Sequence, residues 1–386
     1  MPSTDDDGPL PVPSEEEFEA AGLLDRECVP TGRLDLLRWL ADAGFTVDEM
    51  VAALDVDGLG SLMGDHRLVP GERLAGDAAL AQTELGAEAL VAMGGALGFR
   101  PIQGSPPGEV GYTSDELNAF GVLSALWGLF TPDEALSLVR TIGSSFGRMA
   151  DASVSLFLAD VESPLVLGGK SELDLALSVR DGVGVIDGLA AALDPVLRRL
   201  VLQSIERTRR TSVGNTERFE YRYAVGFVDL VGFTELAFDL EPEELGEFIR
   251  DFEGRAHDLA TSVGGQVVKT VGDEVMFVAD DAAAACRVGR ALMEGFASPG
   301  GTVLPRGGLA YGNVLPRGGD YYGVVVNLAA RLVDEAVPQE MLVTEDLAEA
   351  AVGCEFEPAG RRMVKGFADP IPVRSLVSVS TSIGEK

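Results

Sequence analysis

Between residues 18 and 193 apolar positions recur at three- and four-residue spacing, the period of helices that bury one face. Leu34, Leu36, Leu37, Trp39 and Leu40 crowd one segment; Val47, Met50, Val51 and Leu54 mark a second, with Thr46 as its N-cap. Further helices are predicted over 83–97, 113–129, 132–158 and 172–193, with breaks at Gly98, 103–111 and 163–169, where chain-breaking residues gather. Asp194 followed by Pro195 predicts a fresh helix start, because a capping carboxylate precedes a proline whose missing N–H costs nothing at the first helical position. On that helix Val196, Leu197, Leu200, Val201 and Ile205 form an apolar stripe. Arg198, Arg199, Arg207, Arg209 and Arg210 form a basic cluster, which is either a solvated face or a surface that docks on acidic groups.

Beyond residue 219 the period changes. Residues 221–229 read as a buried strand, and 242–263 as a helix with Leu245, Phe248, Ile249, Phe252, Ala256 and Leu259 on one face. Residues 265–271 and 274–279 read as a hairpin, 281–296 as a helix, 307–311 as a strand, 324–335 as a helix and 341–344 as a strand. The predicted class is α+β, an all-helical N-terminal domain followed by a β-α-β-β-α-β unit.

A chain of 386 residues, 46% of them hydrophobic, has material for more than one core. Its formal net charge of -32 opposes binding to nucleic acid or anionic membranes. Residues 67–101 have the outline of a helix-turn-helix reader, but no lysine or arginine lies between Gly76 and Gly98, so the segment reads as packing. Cys28, Cys286 and Cys354 are too scattered for a disulfide framework or zinc cluster, which points to a reducing cytoplasm. The N-terminus has neither the basic nor the apolar region of a secretory signal and reads as a disordered acidic lead-in. The most apolar stretch, 119–130, is shorter than the roughly 20 residues a membrane span needs, and no membrane insertion is expected.

Chemistry concentrates in three motifs, FVDLVGFT, KTVGDEVMF and DYYGVVVNLAARL. Asp229 ends the first predicted strand and Asp273 sits in the hairpin turn, an order that lets two carboxylates share one site for hard divalent cations. Gly232 permits a close turn, so the backbone through Phe233 and Thr234 would offer N–H groups to phosphate oxygens. Lys269 is one of four lysines, with Lys170, Lys365 and Lys386, in a chain that otherwise uses arginine for positive charge. Asn327 and Arg331 are four apart on a predicted helix and share a face. Taken singly, each has a bland reading as a turn, cap or surface residue; their joint order does not.

Residues 219–376 resemble the catalytic domain of class III adenylate cyclases. The resemblance implies a ferredoxin-like palm, ATP as substrate, and two Mg2+ or Mn2+ ions held by Asp229 and Asp273. It further implies purine recognition by Lys269 and Asp320, ribose orientation by Asn327, transition-state stabilisation by Arg331 and a terminal-phosphate contact by Lys365 in VKGF. A lysine and an aspartate at 269 and 320 resemble the adenylate rather than the guanylate cyclases, which carry glutamate and cysteine there. The motif VGDEV lacks the paired glycines of diguanylate cyclases. Each site would form across a homodimer, with the metals on one protomer and Lys269, Asp320, Asn327 and Arg331 on the other. GNVLPRGGDYYG resembles an arm that contacts the partner, and also suits an ordinary loop.

The implied layout is a lead-in over 1–17, a helical regulatory domain over 18–193, a linker helix over 194–218, the catalytic domain over 219–376 and a tail over 377–386. More weakly, residues 1–210 resemble the regulatory region of soluble actinobacterial adenylate cyclases, some of which are released by acid. A small-molecule or lipid ligand in the helical domain fits its apolar interior, but no residue identifies one. With only His66 and His257 present, carboxylates are the more numerous candidates for pH sensing. A nucleotide-binding dimer without turnover is the alternative from another class.

Overall fold

The computed structural model describes residues 12–25, 31–54, 58–71, 73–74, 76–99, 111–211, 221–297 and 303–380. Most of the expected lead-in, Cys28, most of the break at 103–111, the linker beyond Thr211, the expected domain start at Phe219 and residues 381–386 of the tail lie outside them. The chain divides into two compact units, Met1–Leu197 and Arg198–Lys386.

The first unit is helical: α1 (Glu15–Ala20), α2 (Arg33–Asp42), α3 (Val47–Leu54), α4 (Leu62–Leu68), α5 (Gly76–Ala81), α6 (Ala87–Leu97), α7 (Ser114–Ser124), α8 (Pro132–Phe157), α9 (Ser163–Leu167) and α10 (Glu172–Thr211), which continues past the division. Capping boxes start α1 at Ser14 and Glu17, α7 at Thr113 and Glu116, and α8 at Thr131 and Glu134. One core gathers Phe18, Leu36, Leu37, Leu40 and Met50 with Ala176 of α10. A second gathers Leu90, Met93, Ala96, Leu117, Phe120 and Val139. Arg33 ties α2 to α10 through the Glu172 carboxylate at 2.5 Å. The segment that outlines a helix-turn-helix thus spends Leu90, Met93 and Ala96 on packing.

Several boundaries differ from the sequence reading. Helix α1 begins inside the expected lead-in, because Ser14 and Glu17 cap it and Phe18 is buried. Helix α6 starts at Ala87 rather than 83, since the Thr83 hydroxyl accepts the Leu85 N–H in a local turn. The break expected at 163–169 is delayed: α8 runs through a π-helical turn at Leu158–Glu162 into α9, which carries Pro164 in its first turn. Asp194 and Pro195 do not start a helix, because Pro195 lies inside α10. An established helix loses one hydrogen bond at a proline, whereas a new start needs a new nucleus. The stripe from Val196 to Ile205 is exposed.

The second unit is a sheet with helices. Its elements are β1 (Tyr221–Val231), α11 (Phe233–Asp239), α12 (Pro242–Ser262), β2 (Gln266–Val271), β3 (Glu274–Ala279), α13 (Ala282–Phe296), β4 (Leu304–Arg317), β5 (Asp320–Tyr322), α14 (Val324–Glu335), β6 (Met341–Thr344), α15 (Glu345–Ala350), β7 (Cys354–Arg362) and β8 (Ile371–Val379). The sheet order is β2-β3-β1-β4-β6-β8-β7, with β5 on β4. Strands β2, β3, β1 and β4 pair antiparallel, the palm arrangement expected for this order of elements. Alternation sorts β1: Ala224, Val228 and Leu230 join the core under α12 and α13, while Tyr223, Val225 and Phe227 join a second core with Ala329 and Val333 of α14. The segment read as an arm or loop is a hairpin of β4 and β5, and β8 extends into the expected tail. Among the described residues no helix is long and apolar enough to cross a membrane.

Candidate active site

Asp229 is odd-numbered on β1 and so faces the α14 side with Phe227 and Val225. Its cross-strand partners are Glu274 on β3 and Arg306 on β4, so a carboxylate, a carboxylate and a guanidinium form one row across adjacent strands. Arg306 Nε donates to Asp229 Oδ2 at 2.8 Å. Asp273 enters from the β2–β3 turn, where Gly272 has φ 63°. Burial pushes the Asp273 carboxyl above its ordinary range, and the charge of Asp229 and a hydrogen bond to it push the same way. Glu274 is pushed up to about 7 by burial first, then by Asp229, Asp334 and Asp273, with Arg306 opposing.

This cluster has the chemistry of a hard-cation site. Its donors are carboxylate oxygens, and two carboxyls close enough to share a proton are close enough to share a divalent ion. Among the described residues no group of three or more metal-ligating side chains converges on one position. Asp229 and Asp273 would therefore need water and substrate phosphates to complete a coordination shell, as Mg2+ ordinarily does.

Lys269 and Asp320 are also brought together. The Lys269 ammonium donates to Asp320 Oδ2 at 2.5 Å, and Asp320 Oδ1 accepts the Tyr321 N–H at 2.8 Å. A bulge between Val267 and Lys269 re-aims β2 at this point. The pair offers a donor beside an acceptor, complementary to a purine edge.

Asn327 and Arg331 are both exposed on α14, and Arg331 Nη1 lies 3.4 Å from Asp334 Oδ2. Gly232, with φ 92°, turns the chain directly into α11. The Phe233 ring is buried and stacked on Phe248, while Thr234 is exposed. Lys365 is exposed after β7; its neighbour Val364 is buried with Leu332 of α14, which sets this turn by the helix of Asn327 and Arg331.

Sequence reading missed Arg306 and Glu274. Their signal is register: once β1 is aligned with β3 and β4, the residues opposite Asp229 are these two. Of the basic cluster on α10, Arg207 and Arg210 reach Asp280 at 3.8 and 3.0 Å, the docking reading, while Arg199 and Arg209 are exposed.

No family model matches the chain. It is 31% identical over 357 residues to an uncharacterised protein of Mycobacterium tuberculosis, covering 92% of each chain. It is 34% identical over 232 residues to the adenylate cyclase of Streptomyces coelicolor, covering 60% of each. It is 27% identical over 250 residues to a pH-sensitive adenylate cyclase of Mycobacterium tuberculosis, covering 61% of each. Among solved structures, the adenylyl cyclase CyaB of P. aeruginosa matches 42% of this chain and 97% of its own, with 25% identity and a TM-score of 0.37.

Proposed function

The chain belongs to the class III adenylate cyclase family, and from that premise we propose that it converts ATP to 3',5'-cyclic AMP and pyrophosphate at the site around Asp229, Asp273, Lys269 and Asp320. The observation that carries the reading is the pairing of Lys269 with Asp320 in a unit whose Asp229 and Asp273 also meet. In the reaction the ribose 3'-oxygen forms a bond to the α-phosphorus, the bond from that phosphorus to the bridging oxygen breaks, and pyrophosphate leaves. The proton of the 3'-hydroxyl passes to solvent or phosphate.

Lys269 would donate to a purine ring nitrogen and Asp320 would accept from the adenine amino group, a pattern the guanine edge does not satisfy. Asp229 and Asp273 would hold two Mg2+ or Mn2+ ions, which supply charge neutralisation and a more acidic attacking hydroxyl. Backbone N–H groups at 232–234 and the exposed Lys365 are candidates for triphosphate oxygens. Asn327 would orient the ribose, and Arg331 would meet charge that grows in the transition state, where such groups contribute most. Positioning and electrostatics suffice; no histidine base is needed.

The family resemblance further supports a homodimer in which one protomer supplies the carboxylate pair and the other supplies Lys269, Asp320, Asn327 and Arg331. The helical unit is proposed to regulate turnover, with acid as a candidate signal and the cytoplasm as its setting. The test is to incubate the full chain with ATP or GTP and Mg2+ or Mn2+ at several pH values beside Asp273→Ala, and to repeat it with residues 219–386 alone. Cyclic AMP from the wild type and none from the variant is expected. Cyclic GMP in its place would make the site a guanylate cyclase, and no product from either form would make it a nucleotide-binding dimer. Equal specific activity of both forms at every pH would remove the regulatory role.

A further inference from the structure

The two strands that carry the base-recognition pair are gripped from behind by one side chain that the reaction does not use. Arg207, near the C-terminal end of α10, donates through Nη1 to the Gln266 side-chain oxygen on β2, three positions before Lys269. Its Nε lies 3.8 Å from the Asp280 carboxylate, which follows β3. The Arg207 guanidinium also lies beside the phenol of Tyr321 on β5, the residue directly after Asp320, where its charge opposes the upward push that burial gives that hydroxyl. The Tyr321 ring packs edge-on against Tyr223 of β1, with centroids 5.2 Å apart.

The side chains of Arg207 and Asp280 are 21% and 24% exposed, so this contact is largely screened from water. Arg210, which shares Asp280, is 66% exposed and so adds charge rather than a fixed geometry. A planar guanidinium can address a carboxylate, an amide oxygen and a phenol at once, whereas an ammonium on a flexible stem addresses them as a point charge. Lys269 and Asp320 sit on different strands, and among the described strands β5 pairs with β4 alone.

We propose that Arg207 is a positioning residue for purine recognition, holding β2 and the β4–β5 hairpin in the relative placement that brings Lys269 to Asp320. This rests on the reading of Lys269 and Asp320 as the purine pair. It assigns a residue of the long helix to base selectivity without contact to the nucleotide.

The experiment is steady-state kinetics of the full chain with ATP and with GTP for wild type, Arg207→Ala, Arg207→Lys, Tyr321→Phe and Lys269→Ala, with equilibrium binding of the same nucleotides giving the ratio where turnover is low. Arg207→Ala is expected to raise KM for ATP about tenfold, the effect of one charge-assisted hydrogen bond. Its kcat should change by less than about threefold, and its preference for ATP over GTP should narrow. Arg207→Lys keeps the charge beside Asp280 and should keep the melting temperature but not the ATP preference. Tyr321→Phe should narrow that preference by a smaller factor and add nothing once Arg207 is gone. An Arg207→Ala variant that loses kcat for both nucleotides alike, with its selectivity intact, overturns the proposal in favour of a structural role. If Arg207→Ala does not fold, Arg207→Lys and Tyr321→Phe decide the matter, and unchanged selectivity in both overturns it. Unchanged selectivity in Lys269→Ala instead removes the purine-pair reading itself, and the positioning role with it.

Discussion

Arg306 on β4 and Asp229 on β1 stand directly opposite each other, with Nε of the one 2.8 Å from Oδ2 of the other. The guanidinium is the counter-charge of a crowded acidic cluster, since Asp273 and Glu274 both press on Asp229. Replacing Arg306 with Ala should cost the metal-free protein about 1–2 kcal/mol, the scale of a charged hydrogen bond, or roughly 2–8 °C in melting temperature. The cost should shrink below the Glu274 value of about 7, where that carboxyl is neutral and repels its neighbours less. Melting curves at pH 5.5 and 8 in chelator check this; a larger loss at the lower pH would contradict it. Saturating Mn2+ should restore part of the loss at pH 8, because a bound cation takes over the neutralising charge.

Gly308 holds α14 against the sheet. A Cβ placed there would lie 2.3 Å from the Ala329 carbonyl oxygen, 2.7 Å from Leu332 Cβ and 2.9 Å from the Val333 backbone nitrogen. Backbone cannot swing away as a side-chain tip can, so Gly308→Ala must shift the helix that presents Asn327 and Arg331. It should destabilise by about 1–3 kcal/mol and lower cyclase activity beyond what the lost folded fraction explains. Gly246 of α12 has nothing within 4 Å of such a Cβ, and Gly246→Ala should instead stabilise by about 0.5–1 kcal/mol with activity unchanged. Activity per folded molecule, read beside thermal melts, separates these outcomes.

In the helical unit the caps set a pH dependence. Glu49 accepts the Thr46 N–H and hydroxyl, both at 2.8 Å, and the backbone bond first and then the hydroxyl hold its carboxyl below the usual range. A depressed carboxylate contributes stability above its ordinary value near 4.5, and that stability is lost as pH falls through the folded-state value. Thr46→Ala should therefore cost about 1 kcal/mol at pH 7 and less at pH 3, by urea midpoints followed in the far-UV circular dichroism. The same penalty at both pH values would show that Glu49 adds nothing beyond the hydroxyl cap.

What the sequence disclosed and what it hid divide along physical lines. Thr46 was legible as a cap because capping is local, and the meeting of Asp229 with Asp273 was legible because the order of strand end and hairpin turn sets it. Arg306 was not, since nothing near it in sequence marks it; only the β1–β4 register does. Asp194 and Pro195 misled for the opposite reason. Their local signal is a helix start, and it was overridden by a helix already in place. The packing of β7 on β8 was also silent, because Cys354–Arg362 has exposed residues at most positions and lacks the clean alternation of a half-buried strand.

The proposal that each site forms across two protomers carries a quantitative prediction. If Asp273 acts in one protomer and Arg331 in the other, homodimers of Asp273→Ala and of Arg331→Ala are each inactive or nearly so. Loss of a transition-state contact such as Arg331 should lower kcat by about 10²–10³ with little change in KM. In a heterodimer of the two variants both lesions fall in one site, and the other site keeps Asp273 from one chain and Arg331 from its partner. Random reassortment of equal amounts makes half the dimers mixed, each with a single working site, so activity should return to about a quarter of wild type. Mixing the purified variants under exchange conditions and assaying cyclic AMP measures this directly. Activity that stays at the level of the two variants, with subunit exchange demonstrated by differential tagging, would place Asp273 and Arg331 of the same chain in one site.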